Sequence, residues 1–70
     1  MIKFRVRVQL ALKDMNQKQL AESTGIRPST ISAICSGTVK HLPIEVLDKI
    51  CSTLQCQPGD LMEYIPDENG

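Results

Sequence analysis

Between Asn16 and Gly37 two short segments with helical apolar periodicity are separated by Gly25, and the spacing inside this stretch limits the fold more than any other feature of the chain. Counted from Gln17 as the first of twenty positions, Ala21 is the fifth, Gly25 the ninth, Ile31 the fifteenth and Ile34 the eighteenth. Each position has a steric task. The fifth must be small where a second helix crosses close to the first. The ninth must bend sharply, and glycine alone enters the left-handed conformation without a side-chain penalty. The fifteenth and eighteenth anchor the second helix to the interior.

Local signals set the ends of both helices. Asn16 can accept a backbone hydrogen bond from the third following residue, and Gln19 stands where a capping box places Glu or Gln. A helix over Gln17 to Thr24 follows, with Leu20 and Ala21 inward, and Ile26 seals the turn. Pro28 suits the first position of the next helix, where its missing N–H is no loss. That helix is expected over 28–35, with Ile31 and Ile34 buried and Gly37 as the stop. Ser29, Thr30, Ser32, Ala33 and Ser36 are expected to face outward.

The flanking segments read less sharply. Residues 2–10 alternate apolar and polar, a strand pattern that gives way to a helix from Arg5 or Val6 to about Lys13. On that helix Val6, Leu10 and Lys13 share one stripe. Val8 and Leu12 share another, which either completes the core or offers an apolar patch to a partner. An extended 2–4 segment needs a strand to pair with, and Met62 to Pro66 is the available one. Pro43 starts a helix on which Ile44, Leu47, Ile50, Cys51 and Leu54 recur at three- and four-residue spacing. Gln57-Pro58-Gly59-Asp60 opens a last short helix to about Glu63 with Leu61 inward, and 67–70 should fray.

Phe4 and Tyr64 are the only aromatic residues, so aliphatic side chains must fill the interior, which favours packed helices. The expectation is one all-α domain over 1–66, with five helices and a very short terminal two-stranded sheet. No apolar run approaches the roughly 18 residues of a membrane span, and no leader pattern opens the chain. Three cysteines near apolar helical faces fit a reducing cytoplasm better than a disulfide framework.

The net charge of zero conceals a split. Residues 1–40 hold seven cations against Asp14 and Glu22, whereas residues 41–70 hold Lys49 against six carboxylates. This implies a basic face and an acidic back. Metal chemistry is not expected, because no tight pair of cysteines is present, and no cofactor is implied. Cys51 is expected in the core, Cys35 is a second candidate for it, and Cys56 is the best placed for reactivity. Enzymatic function finds no support: His41 is isolated in a loop, and there is no phosphate-cradling glycine loop.

The stretch from Asn16 to Gly37, together with Leu47-Asp48-Lys49-Ile50-Cys51 and Gln57-Pro58-Gly59-Asp60-Leu61, resembles the phage repressor and Cro type of helix-turn-helix regulators, the xenobiotic-response-element family. The resemblance implies a compact five-helix, lambda-repressor-like domain that binds double-stranded DNA, with the second helix of the unit in the major groove. It also implies that Pro28, Ser29, Thr30 and Ala33 occupy the early recognition positions, while Gln17 and Ser36 match phosphate-binding positions. Arg27 departs from the family pattern, which prefers a small cap there. Its guanidinium is a candidate for a phosphate or guanine contact, as are Lys18 and Lys40 for phosphates.

The recognition face is poor in Gln, Asn and Arg, the residues of bidentate base contacts. A homodimer on two half-sites about 34–36 Å apart is the usual remedy. A rival of another class is a protein-interaction module, such as the antitoxin half of a pair, using the same fold. Salt separates the two, because DNA affinity falls steeply with ionic strength.

Overall fold

A computed structural model describes residues 1–66. The element order is β1 (Ile2–Phe4), α1 (Val6–Leu12), α2 (Gln17–Thr24), α3 (Pro28–Ser36), α4 (Ile44–Leu54), α5 (Pro58–Leu61) and β2 (Met62–Tyr64). The five helices and the small terminal sheet follow the sequence expectation. The expected fraying of 67–70 lies outside the described residues.

The core is aliphatic and draws on every helix: Val6 and Leu10 from α1, Leu20 and Ala21 from α2, Ile31 and Ile34 from α3, Ile50 and Leu54 from α4, and Leu61 from α5. Ile26 closes the turn between α2 and α3 against the same cluster. The helix α2 packs on both α3 and α4, and α1 packs on α3 and α5. The helix pair that the spacing defined therefore stands on a floor made by the other three.

The two chain ends meet in an antiparallel ribbon with Ile2 opposite Tyr64, Lys3 opposite Glu63 and Phe4 opposite Met62. Beyond it the Ile65 amide donates to the Met1 carbonyl at 2.8 Å, and the Arg5 amide donates to the Leu61 carbonyl at 2.6 Å. The ribbon is short, but β1 also touches α3 and β2 touches α5, so its strands are held by the helices as well as by their own ladder.

Three expectations need correction, and one open alternative is decided. The last helix stops at Leu61 rather than near Glu63, because Met62 is already extended and pairs with Phe4. Ile44, on the periodic stripe of α4, is 82% exposed, since it lies in the first turn, beyond the reach of the elements that cover Ile50 and Leu54. Val8 and Leu12 are 53% and 71% exposed, so they do not complete the core. Cys35 is the buried cysteine, whereas Cys51 is only half-buried because it lies at the edge of an open groove with Cys56.

Candidate nucleic-acid interface

The site begins with the cap of α2. The Asn16 side-chain oxygen accepts from the Gln19 amide at 2.7 Å, and the Gln19 side-chain oxygen accepts from the Asn16 amide at 2.9 Å. This reciprocal pair leaves the Gln17 and Lys18 amides without an acceptor among the described residues. They point out of the helix start, where the aligned peptide dipoles favour an anion. Gln17 is half-buried and Lys18 exposed.

The turn between α2 and α3 is tied in two ways. Gly25 adopts φ 75° and its amide donates to the Ala21 carbonyl at 2.9 Å. Buried Thr24 donates its hydroxyl to the Leu20 carbonyl at 2.7 Å and accepts from the Ile26 amide at 3.2 Å. A buried hydroxyl is costly unless bonded, and this one satisfies itself by bracing the bend. Apolar periodicity gives Thr24 no role, although a Thr just before a glycine stop is a signal for such a brace.

Pro28 stands in the first turn of α3, and the Arg27 carbonyl accepts from the Thr30 and Ile31 amides at 3.0 and 3.1 Å. Arg27 makes no side-chain cap; its side chain is exposed. Lys18, Glu22, Arg27 and Pro28 line one shallow groove between the starts of α2 and α3. Two candidate cations are thereby brought together at the leading edge of the recognition helix.

Along α3, Ser29, Ser32 and Ser36 are exposed, as expected, while Thr30 and Ala33 are only half-exposed. Thr30 borders the stripe of Ile31 and Ile34. The Ala33 carbonyl accepts from the Thr38 and Val39 amides of the returning chain, at 2.9 and 3.3 Å. The observed helix runs one residue beyond the expected 28–35, and Gly37 at φ 77° then turns the chain away. Lys40 is exposed in the following loop.

Ser36 shows a feature that spacing could not reveal. Its hydroxyl donates to the Ala33 carbonyl at 3.2 Å and lies 3.0 Å from the Thr38 hydroxyl. To donate to a phosphate it must leave Ala33, and that costs little, because the carbonyl keeps two backbone donors. The end of α3 also shares an open groove with Lys3, Arg5 and Arg7. These cations are some thirty residues distant in sequence, so only the folded chain brings them to Ser36.

The thiols do not add a reactive group. Burial pushes Cys35 above the ordinary thiol range, with Arg7 pulling weakly the other way. Burial likewise raises Cys51 and Cys56, helped by the Asp60 carboxylate near both. Raised thiols are poor nucleophiles at neutral pH, so Cys56 is no more activated than its neighbours. Among the described residues no group of His, Cys, Asp and Glu is placed to hold a metal ion.

A capped helix, a braced glycine turn and a second helix whose polar face is open to solvent define a helix-turn-helix DNA-binding domain. The Cro/C1-type HTH DNA-binding domain matches residues 5–67, and the chain belongs to that family. It is 39% identical over 62 residues to the uncharacterized HTH-type transcriptional regulator YozG of Bacillus subtilis strain 168, covering 89% of this chain and 74% of that protein. The fold is similar to a crystal structure of a putative DNA-binding protein from Bacteroides fragilis, with a TM-score of 0.78, 32% identity, and coverage of 90% of this chain and all of that one. It is also similar to the transcriptional regulator VanUg, with a TM-score of 0.76, 27% identity, and coverage of 94% and 87%.

Proposed function

We propose that this protein is a sequence-specific transcriptional regulator that lays α3 in the major groove of double-stranded DNA, working in the cytoplasm as a homodimer on paired half-sites. The observation that carries this reading is the open polar face of α3, framed by Lys18 and Arg27 at its start and by Ser36 and Lys40 at its end. Charge at both ends and small side chains between them allow the backbone of α3 to approach base edges closely.

In this reading Gln17, Lys18, Ser36 and Lys40 hold phosphates and set the register of the helix, while Pro28, Ser29, Thr30 and Ala33 meet the bases. Ser29 and Thr30 can exchange hydrogen bonds with base edges, and Ala33 can pack on a thymine methyl. Arg27 brings to the edge of this face a guanidinium able to make a bidentate guanine contact. Because the rest of the face is small, much of the specificity falls to DNA shape and to a second subunit. Exposed Val8 and Leu12, which the core does not use, are the apolar residues available to that subunit.

Selection of duplexes from a random pool over several rounds at low salt tests the proposal. Enrichment of a two-fold-related sequence is the expected result. A folded sample that enriches no sequence overturns it.

A further inference from the structure

We propose that Cys51 and Cys56 form a dithiol site at which a low-molecular-weight disulfide closes a reversible sulfur–sulfur bond, a covalent lock on the corner from α4 into α5. The site lies outside the helix-turn-helix unit and does not depend on the DNA-binding reading.

Backbone geometry brings the pair together. Gln55 ends α4 at φ 53°, in the left-handed region, and so folds the chain back over the last turn of that helix. The Gln55 and Cys56 amides both donate to the Cys51 carbonyl, the latter at 3.1 Å, while the Gln55 side-chain amide donates to the Ser52 carbonyl at 2.6 Å. In a helix stop of this kind the residue after the left-handed one packs on the residue five before it, and here both are cysteines. Two aliphatic side chains would seal the corner equally well. Two sulfurs add chemistry.

Both thiols are also within reach of a small reagent. Each is half-buried and lines an open groove with Ile44, Leu47, Ser52 and Pro58, whereas Cys35 is buried in the core. Burial holds Cys51 and Cys56 above the ordinary thiol range; within that, a hydrogen bond from the Cys56 thiol favours the thiolate of Cys51 and disfavours that of Cys56. Neither thiol is activated by itself, so the first exchange is slow at neutral pH. What the pair supplies is a second thiol already in place.

The chemistry is two successive exchanges. The Cys51 thiolate, its proton released to water, attacks one sulfur of the small disulfide; that S–S bond breaks, and the departing half takes up a proton as a free thiol. Cys56 then gives up its proton and attacks the Cys51 sulfur of the mixed disulfide, releasing the second half as a thiol. Two protein thiols are oxidised to one disulfide, and one small disulfide is reduced to two thiols. The second exchange is intramolecular, so the mixed disulfide does not accumulate.

The test incubates the full chain, Cys35→Ala and Cys56→Ser with hydroxyethyl disulfide, quenches in acid, alkylates the remaining thiols in denaturant and maps them by mass spectrometry. The wild type and Cys35→Ala are expected to lose two hydrogens, with Cys51 and Cys56 both protected from alkylation. Cys56→Ser is expected to stop at a mixed disulfide on Cys51. A thermal melt of the oxidised wild type is expected to move upward and to return when a reductant is added, because the bond restricts the unfolded chain. A wild type that keeps the mixed disulfide, bonds through Cys35, or links two chains overturns the proposal. So does a folded wild type that fails to react while the same chain in urea is oxidised.

Discussion

Arg5 and Glu63, separated by 58 positions in the chain, form an ion pair in which the Arg5 Nε donates to the Glu63 Oε1 at 2.9 Å. The pair bolts the strand at the carboxyl end of the domain to the residue that leads into α1. It also removes one cation from the basic amino-terminal surface. Both side chains remain substantially exposed, so the contact orders the chain ends more than it stabilises the fold.

Glu63→Gln is accordingly expected to cost no more than about 1 kcal/mol in urea denaturation, and less at high salt. A loss well above that, persisting at high salt, would mean that the ribbon does more for the core than its exposure indicates.

The cap of α2 should matter more than this pair, because it satisfies two backbone donors at the start of the helix that carries Leu20 and Ala21. Asn16→Ala is expected to destabilise the domain by about 0.5–2 kcal/mol. A melting temperature equal to wild type would contradict the reciprocal bonds between Asn16 and Gln19.

Gly25 isolates a purely conformational cost. A Cβ added there meets nothing within 4 Å, but the backbone stands at φ 75°. Gly25→Ala should therefore lose about 1–2 kcal/mol from the left-handed backbone alone. Gly25→Asn, whose side chain tolerates that region, should lose less. Equal losses in the two variants, read from chemical denaturation, would point to a steric cause instead.

Lys18 and Arg27 share a groove, yet they should behave differently on DNA. Lys18→Ala is expected to weaken binding alike on all sequences and to flatten the salt dependence by about 0.9 in slope. Arg27→Ala should instead relax preference at one base position, at a cost of about 1–3 kcal/mol, if its guanidinium meets guanine. Fluorescence anisotropy against matched and mismatched duplexes separates these outcomes. A uniform loss for Arg27→Ala would assign it to a phosphate.

Alkaline pH should destabilise the fold through its thiols. Cys35, Cys51 and Cys56 are all raised by burial, so the folded state favours the neutral form. That contribution is complete below the unfolded thiol value of about 8.5 and is lost as pH rises through the higher folded values. The urea midpoint should fall between neutral pH and the alkaline range, and Cys35→Ala should reduce the fall. An unchanged midpoint in the wild type would contradict it.

Much of the helix-turn-helix unit was legible in the sequence, because its signals are local. Asn16 with Gln19, the glycines at 25 and 37, and Pro28 each dictate backbone geometry within a few residues, and α2 and α3 begin where those residues place them. The pairing of the chain ends was also readable, as two extended segments each in need of a partner. The candidate DNA-facing residues could be named from the same stretch.

Tertiary structure decided which apolar faces have something to pack against. Periodicity put Ile44 on the stripe of Ile50 and Leu54, and left Val8 and Leu12 open between core and surface. Only the arrangement of neighbouring elements leaves all three in solvent. It also ties the Ala33 carbonyl to the returning loop, commits the Ser36 hydroxyl to that carbonyl, and gives Arg5 to Glu63 while bringing Arg7 beside α3. A sequence pattern records which side chains share a side of their own helix. Burial and charge pairing depend on what lies across from that side, and here the decisive neighbours come from opposite ends of the chain.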